Sequence, residues 1–267
     1  MFDNFSEKLR RKFLFKVSAR LSGDTRELDL VDLLKRLHPV TTLNPLIRVG
    51  GEGDGGYLIP NNLEMIARCF SPGVAYTSSF ESELAGRGIP SSLADYSVDY
   101  SNSIGGLISF DKKFIGVANS RKFMTLESWV MRDSPEDNSD LLLQMDIEKY
   151  EYPVMLRTPS EILRRFRIMV IEFHSLDALT KSKTFSYIKS VFEKILEDFL
   201  VVHIHPNNCR SPIQIGDILI PPVMEFTFFR KDVANLTGNA NEFPHPLDRK
   251  NIEALPDVVL PEAWYSA

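Results

Sequence analysis

Two apolar runs of strand length, at residues 141–145 and 168–173, dominate the hydrophobic pattern of the chain. Acids and one histidine stand at or just beyond their ends: Asp146, Glu148, Glu151, Glu172 and His174. A run that is apolar on both sides suits a strand buried in a parallel sheet, with helices on both faces. Neighbouring parallel strands end at one edge, where open α/β sheets bind ligands. We therefore expect these side chains to line one crevice, the candidate active site.

Shorter strand patterns and helical periodicities alternate along the rest of the chain. The remaining predicted strands lie at residues 67–70, 92–94, 114–118, 199–205 and 224–230. Helices are predicted over residues 28–37, 79–85, 125–130 and 185–196. Alternation of strands and helices, followed by two strands without a helix between them, predicts an α/β fold with one seven-stranded, mostly parallel sheet. An antiparallel hairpin completes the sheet at its edge, and helices cover both faces.

Three segments follow from the same pattern. Residues 1–40 form an N-terminal helical segment, residues 41–234 form the sheet-containing domain, and residues 235–267 form an irregular C-terminal cover. Within the first segment, residues 3–21 combine an apolar stripe with many basic side chains. This pattern is typical of a helix docked on a domain. The alternative is a peripheral contact with an anionic membrane surface or with a neighbouring subunit.

Composition narrows the class of protein. A hydrophobic content of 43% and a charged content of 25% are ordinary for a globular protein. The net charge of −5 argues against a general nucleic-acid binder. The two cysteines, Cys69 and Cys209, lie far apart, which favours free thiols in a reduced compartment. No apolar run is long enough to cross a bilayer, and the N-terminus lacks a signal-peptide pattern. We therefore expect a cytoplasmic protein. It would bind the membrane peripherally if its first helix contacts lipid.

Two turns carry candidate ligand-binding features. Residues 50–56 hold five glycines but match neither GxGxxG nor the Walker pattern, which disfavours a nicotinamide-dependent oxidoreductase. A strand–turn–helix unit follows, with Gly73 at its turn. Asp95 then stands at the end of the next predicted strand. A carboxylate in that position can accept hydrogen bonds from both hydroxyls of a nucleoside ribose, although a solvated loop acid is the simpler interpretation.

The chain resembles the FkbM-like group of class I S-adenosylmethionine-dependent methyltransferases in three segments. These are residues 54–57 (Asp-Gly-Gly-Tyr), residues 70–81 and residues 143–148. The METTL-type branch with a DGGY segment is the nearest match, and the resemblance covers roughly residues 46–230. It implies a single Rossmann-like methyltransferase domain over residues 41–234 that uses S-adenosylmethionine. It further implies O-methylation of a hydroxyl on a sugar or glycan, such as a surface polysaccharide. The alternative is a catalytically inactive methyltransferase-like interaction module in a glycan-assembly complex.

The resemblance also implies which residues bind the cofactor. They are Asp54, Gly55, Gly56, Tyr57, Ser71, Pro72, Gly73, Phe80, Asp95 and Asp146. The sequence departs from the family pattern at two places. The first turn has one glycine where most class I enzymes have two or three. Lys149 stands where a glycine usually follows Asp-x-Glu.

Methyl transfer to a hydroxyl requires that the hydroxyl lose its proton. His174 is the predicted general base, and Asp146 and Glu148 are the other predicted catalytic residues. A divalent metal, Mg²⁺ or Mn²⁺, is the alternative, because it would lower the pKa of the hydroxyl and orient a diol. Its predicted ligands are Asp146, Glu148, Glu172 and His174.

The sixth predicted strand supplies the candidate acceptor-binding residues. His203 and His205 share one face of that strand, and Asn207 follows it at the same edge of the sheet. Packing against helices is the simpler interpretation of the two histidines. The expected partner is a small-molecule or glycan acceptor, with no nucleic acid. A homo-oligomer is left open.

Overall fold

The computed structural model describes residues 23–74, 78–99, 106–136 and 138–266. The strands are β1 (Val40–Thr42), β2 (Leu46–Gly50), β3 (Gly56–Pro60), β4 (Ile66–Pro72), β5 (Ser91–Ala94), β6 (Ile108–Asp111), β7 (Phe114–Gly116), β8 (Phe123–Thr125), β9 (Asp140–Met145), β10 (Phe166–His174), β11 (Phe199–Pro206), β12 (Ile213–Ile215), β13 (Ile218–Ile220), β14 (Val223–Arg230) and β15 (Leu236–Asn239). The helices are α1 (Glu27–Arg36), α2 (Ser79–Gly86), α3 (Leu126–Asp133), α4 (Glu151–Arg157), α5 (Ser160–Leu163) and α6 (Ser182–Asp198). The helix predicted over residues 3–21 lies outside the described residues, so its proposed contacts stay predictions.

A seven-stranded sheet organises the molecule, in the order β11-β14-β10-β9-β4-β5-β6. The five strands from β10 to β6 pair in parallel, whereas β14 is antiparallel to both β10 and β11. β11 runs in the same direction as these five strands, which gives six parallel strands in all. Numbered in chain order, the six strands follow the Rossmann arrangement, and β14 lies in the sheet between the fifth (β10) and the sixth (β11). The predicted fold class, including the antiparallel hairpin of β11 and β14 at the edge, is confirmed.

The third strand of the sheet lies elsewhere than the sequence pattern suggested. The prediction placed it at residues 114–118, but the sheet uses β6, which pairs with β5 in parallel. Residues 114–116 form β7 instead and pair with β8 in a separate two-stranded sheet. The β6 strand lies at the edge of the main sheet and buries only part of its side chains, so its apolar signal is weak.

Alternate residues of the central strands bury opposite faces of the sheet. On one face, α1 and α6 pack with Trp129 of α3 and with Trp264, which lies in a short 3-10 helix (Glu262–Trp264). On the other face, the β2–β3 hairpin and α2 cover Leu142 and Val170. Segments from the beginning and the end of the described chain therefore share a hydrophobic core with the sheet.

The C-terminal residues, predicted as irregular cover, form one strand of their own. β15 pairs with β1 in an antiparallel two-stranded sheet. Most of the remaining residues, 240–266, have no regular secondary structure and are called the C-terminal segment below. None of the helices in the described ranges combines the length and apolar character needed to span a bilayer.

Candidate active site

The carboxyl ends of β4, β5 and β9 meet around Gly73. The Gly73 N–H donates to Ala94 O at 2.9 Å, and the Asp146 N–H donates to Pro72 O at 3.2 Å. Gly73 has a φ of +89°, and a Cβ there would overlap the carbonyl oxygen of Asp146. Only glycine allows this close approach. Asp95 directly follows Ala94, so the two acids expected to share one pocket flank the same turn, where the strand order reverses.

The Asp95 carboxylate is held by its own loop. Its Oδ1 accepts hydrogen bonds from the backbone N–H and the hydroxyl of Ser97, both at 2.6 Å. Asp95 is largely buried. These bonds fix the orientation of the carboxylate at the end of β5, the position from which an acid can bind a ribose.

The glycine-rich turn joins β2 to β3 and docks on the N-terminus of α2. Gly51 N–H donates to Ser79 Oγ at 3.0 Å, and the Arg48 guanidinium donates to Gly51 O at 2.8 Å. A Cβ at Gly56 would overlap Gly51 O, so this glycine allows the two sides of the turn to come into close contact. Gly56 thus serves packing of the turn on itself, while Asp54 is exposed at the tip.

A buried chain of hydrogen bonds lies beneath this turn and links two of the predicted cofactor residues, Tyr57 and Ser71. Gln144 Nε2 donates to Tyr57 Oη at 3.1 Å, and Ser71 Oγ lies 2.6 Å from Gln144 Oε1. Ser71 is also hydrogen-bonded to Glu81, whose pKa is raised by burial. A hydroxyl has one proton, so Ser71 Oγ can donate to only one of Gln144 Oε1 and Glu81 Oε1 at a time.

Phe80 packs beside this chain, its ring centroid 5.6 Å from that of Tyr57 in an edge-to-face arrangement. Phe80, Tyr57 and Ser71 are all buried, with their contacts already made inside the protein. Their side chains therefore pack in the interior of the protein. Their direct contact with a cofactor stays a prediction.

His174 stands at the end of β10, surrounded by three carboxylates. Its Nδ1 lies 3.1 Å from Glu151 Oε1, within hydrogen-bond distance. Its Nε2 lies 3.8 Å from Asp146 Oδ1 and 3.8 Å from Glu172 Oε1. An imidazole bound at Nδ1 by a carboxylate directs its other nitrogen into the site. We call these four residues the His174 cluster.

A strained turn between β9 and α4 places Glu151 in this cluster. Glu148 and Lys149 have φ values of +57° and +84°, in the left-handed region that non-glycine residues rarely adopt. Glu151 Oε1 accepts the backbone N–H groups of Ile147 and Lys149, both at 3.1 Å, and so stabilises the turn. Lys149 thus adopts a backbone conformation that glycine adopts more readily.

The electrostatics of the His174 cluster are dominated by negative charge. Burial raises the pKa of Asp146 to about 7, opposed by His174 and reinforced by Glu151 and Glu148. Burial and the charge of Asp146 raise the pKa of Glu172 well above its ordinary value. Burial opposes the charged form of His174, but the hydrogen bond to Glu151 and the surrounding carboxylates raise its pKa. At neutral pH the cluster therefore holds on to protons or attracts a cation.

The composition of the cluster differs from the sequence prediction in one residue. Donor atoms from Asp146, Glu151 and His174 lie within 4.8 Å of one another. Glu148, predicted as catalytic and as a metal ligand, is exposed and stands outside this group. Glu151 is fully buried. It was expected to line the crevice but was not among the residues predicted as catalytic or as metal ligands. Its place in the same acidic run as Asp146 was the signal that could have identified it.

The predicted acceptor-binding residues fall into two places. Asn207 Nδ2 donates to Glu172 Oε1 at 3.0 Å and so adjoins the His174 cluster. His203 and His205 are buried against the C-terminal segment, where Asp248 Oδ1 lies 3.0 Å from His203 Nε2 and 3.6 Å from His205 Nδ1. We call these three residues the Asp248 clamp. Acceptor binding by the histidines stays a prediction.

Charge in the Asp248 clamp is nearly balanced. Burial opposes protonation of His205, but the carboxylates of Asp248 and Glu225 outweigh it and raise the pKa to about 9. Burial likewise opposes ionisation of Asp248. The two histidines outweigh this effect and lower the pKa of Asp248 well below its ordinary value. The clamp is thus an ion pair over the pH range in which most proteins are stable.

Comparison with known proteins adds little to this geometry. No protein-family model matches the chain, and no curated protein matches its sequence. A crystal structure of a fibrillarin/Nop5p complex is 14% identical, with a TM-score of 0.36, over 63% of this chain and 74% of that one. A protein named as a candidate RNA methyltransferase from Pyrococcus horikoshii is 13% identical, with a TM-score of 0.33, over 77% of this chain and 99% of that one. Likenesses this distant carry no functional argument, and the fold assignment rests on the strand order above.

Proposed function

We propose that this chain is an S-adenosylmethionine-dependent O-methyltransferase that methylates a hydroxyl of a sugar or glycan acceptor. One observation carries the proposal. Asp95 and Asp146 flank the Gly73 turn at the point where the strand order reverses, and the His174 cluster adjoins them on the next strand. This is the crevice in which open α/β sheets bind nucleotide-like ligands.

In this proposal, the ribose and the methionine portion of the cofactor meet separate groups at this edge. The Asp95 carboxylate binds the ribose hydroxyls, and the backbone at Gly73 lies beneath the methionine portion. Asp146 adjoins Gly73 through the hydrogen bond to Pro72, so its carboxylate lies near the expected sulfonium. Opposite charges at short range in a partly buried site attract strongly.

The reaction is an in-line displacement. The bond between the sulfonium and its methyl carbon breaks as the acceptor oxygen forms a new bond to that carbon, and the hydroxyl proton passes to the His174 cluster. S-adenosylhomocysteine and a methyl ether are the products. Holding donor and acceptor in line supplies much of the acceleration, and positioned proton transfer contributes about 10²–10⁴-fold.

The charge of the site supports a neutral acceptor. Asp54 and Glu148 are exposed at the edge, close enough to the buried carboxylate of Asp146 to raise its pKa. Carboxylates in these positions repel polyanions, whereas nucleic-acid binders neutralise phosphates with basic residues. A sugar hydroxyl meets no such repulsion. The acidic edge therefore supports a glycan acceptor over RNA.

Transfer of a radiolabelled methyl group from S-adenosylmethionine tests this proposal. We expect label in neutral oligosaccharides, in an ether linkage stable to base, and none in RNA. His174→Ala should abolish the transfer, whereas Glu225→Gln, a buried acid outside the His174 cluster, should keep it. Label in RNA but not in glycans would overturn the acceptor class. Cofactor binding without transfer to any acceptor would favour the inactive interaction module instead.

A further inference from the structure

We propose that the His174 cluster binds one divalent cation of the Mg²⁺ and Mn²⁺ class. Only the role of the cation depends on the proposed function, since the site itself follows from the arrangement of the four side chains. Its ligands are Asp146, Glu172 and Nε2 of His174. Glu148, which was predicted from the sequence as a ligand, is not among them, and Glu151 holds the histidine ligand at Nδ1.

Unpartnered oxygens are the first observation behind this inference. Asp146 Oδ1, Glu151 Oε2 and Glu172 Oε2 have no hydrogen-bond partner within the part of the chain that the structure describes. Glu151 is 0% exposed and Glu172 is 4% exposed. Leaving a buried acceptor unsatisfied costs about 1–3 kcal/mol, and more for a charged group. The acids Asp146 and Glu172 both lie beside His174 Nε2, and their unpartnered oxygens call for a shared positive partner.

The orientation of His174 is the second observation. Glu151 Oε1 lies 3.1 Å from Nδ1 and accepts a hydrogen bond from the Nδ1 N–H, which leaves the lone pair of Nε2 free. A histidine held by a carboxylate in this way is the usual form of a histidine ligand to a metal. The gaps of 3.8 Å from Nε2 to Asp146 Oδ1 and to Glu172 Oε1 exceed hydrogen-bond length. They leave space for an ion between the donors.

The spacing of the donors fits an ion after small side-chain adjustments. Asp146 Oδ1 and Glu172 Oε1 each lie 3.8 Å from His174 Nε2. Two donors on opposite sides of an ion with bonds of about 2.1 Å stand about 4.2 Å apart. Shifts of less than about 1 Å in the carboxylates therefore close the site, and these are within the freedom of a rotating carboxylate.

The donor types select the class of ion. Two carboxylates and one imidazole, without a thiolate, suit Mg²⁺ or Mn²⁺ better than copper(I). An ion there would have open positions toward the sheet edge, where the acceptor is expected. It would polarise the acceptor hydroxyl, lower its pKa and orient a neighbouring hydroxyl of the same sugar.

Direct titration with Mn²⁺ tests the site without measuring activity. The full chain is freed of metal with a chelator, and bound Mn²⁺ is followed by electron paramagnetic resonance and by calorimetry. We expect one Mn²⁺ per chain, displaced by excess Mg²⁺. Asp146→Asn and Glu172→Gln should each weaken binding by about tenfold or more. Glu225→Gln, which removes the acid opposite Glu172 on β14, is the matched control and should bind like the wild type.

Results that contradict the metal site can be told apart from results that contradict the proposed function. Wild-type chain that binds neither Mn²⁺ nor Mg²⁺ at millimolar concentration would overturn the site, as would binding unchanged in both Asp146→Asn and Glu172→Gln. S-adenosylhomocysteine binding is measured separately in the presence of chelator. Retention of that binding without metal binding rejects the ion alone. Loss of both rejects the ion and the methyltransferase proposal together.

Discussion

The His174 cluster and the Asp248 clamp lie at the same edge of the sheet and use the same residue types, yet they are completed differently. In the Asp248 clamp, a carboxylate from the C-terminal segment lies against two histidines and forms an ion pair with His205. In the His174 cluster, three carboxylates surround one histidine, and an oxygen of each has no partner among the described residues. The clamp pairs opposite charges within the chain, whereas the cluster gathers three acids around one histidine and needs a proton or a cation.

This difference teaches how to tell structural ionisable groups from functional ones. Both regions are buried and both have perturbed pKa values, so burial and pKa alone do not separate them. What separates them is the balance of charge, which is one-sided in the cluster and paired in the clamp, and local strain. The turn of Glu148 and Lys149 holds positive φ values beside the His174 cluster, where strain is typical of functional sites.

The largest expected effect comes from Asp146→Asn. Methyl transfer should fall by about 10²–10⁴-fold, because the variant loses the carboxylate shared by the cofactor pocket and the His174 cluster. Stability should stay the same or rise, since a buried carboxylate with a raised pKa is removed. Initial rates and urea unfolding measure the two effects. A variant that loses stability but keeps its rate would reverse the roles assigned to the two regions.

Asp248→Asn should show the opposite pattern. Removing this carboxylate leaves two buried histidines without their charge partner, which typically costs about 3–5 kcal/mol. The affinity for S-adenosylhomocysteine should change little, because the clamp lies on β11, away from Gly73. Urea unfolding and calorimetry provide the measurements. Glu253→Gln, an exposed acid of the same segment, is the control and should match the wild type.

The clamp should also impose a pH dependence on stability. The folded pKa of His205 is raised to about 9. Its contribution is therefore complete below the unfolded pKa of about 6.5 and is lost as pH rises through about 9. The lowered pKa of Asp248 contributes stability above its unfolded value of about 3.9, which is lost only in strong acid.

Unfolding of the wild type and of Asp248→Asn at a series of pH values measures this dependence. The difference in free energy of unfolding should be largest between about pH 4 and pH 7 and should shrink by up to about 3 kcal/mol by pH 10. A difference that stays constant up to pH 10 would show that His205 is not charged in the folded protein.

Glu225→Gln should have the smallest effect. Glu225 lies between the two regions, opposite Glu172 on one side and His205 on the other. Burial raises its pKa despite His205, and its Oε1 accepts from Asn251 Nδ2 at 2.8 Å, which a glutamine oxygen can also do. We expect a stability change below about 1 kcal/mol and normal methyl transfer. A large loss of activity would mean that the two regions act as one.

The sequence predicted the fold well because its signals are local. Apolar runs, turn residues and helical periodicity located six of the seven sheet strands, and β6 was missed because an edge strand has a weak apolar pattern. The convergence of Asp95 and Asp146 followed from topology alone, since neighbouring parallel strands end at one edge.

The site was predicted less completely because its decisive contacts are not local. Glu151 is buried by a turn with positive φ at two non-glycine residues, which no propensity indicates. Asp248 reaches His203 and His205 from more than forty residues away, out of a segment without regular structure. Such contacts depend on how the finished sheet is covered, which periodicity does not encode.

Calorimetry with S-adenosylhomocysteine tests the central claim most directly, that Asp95 and Asp146 flank one nucleoside-binding pocket. The wild type should bind one molecule per chain, and Asp95→Ala should weaken binding by about tenfold or more, through loss of the charged hydrogen bonds to the ribose. Ser97→Ala, which leaves the carboxylate in place, should weaken binding less. Absence of heat with the wild type, or equal affinity in Asp95→Ala, would contradict the shared pocket.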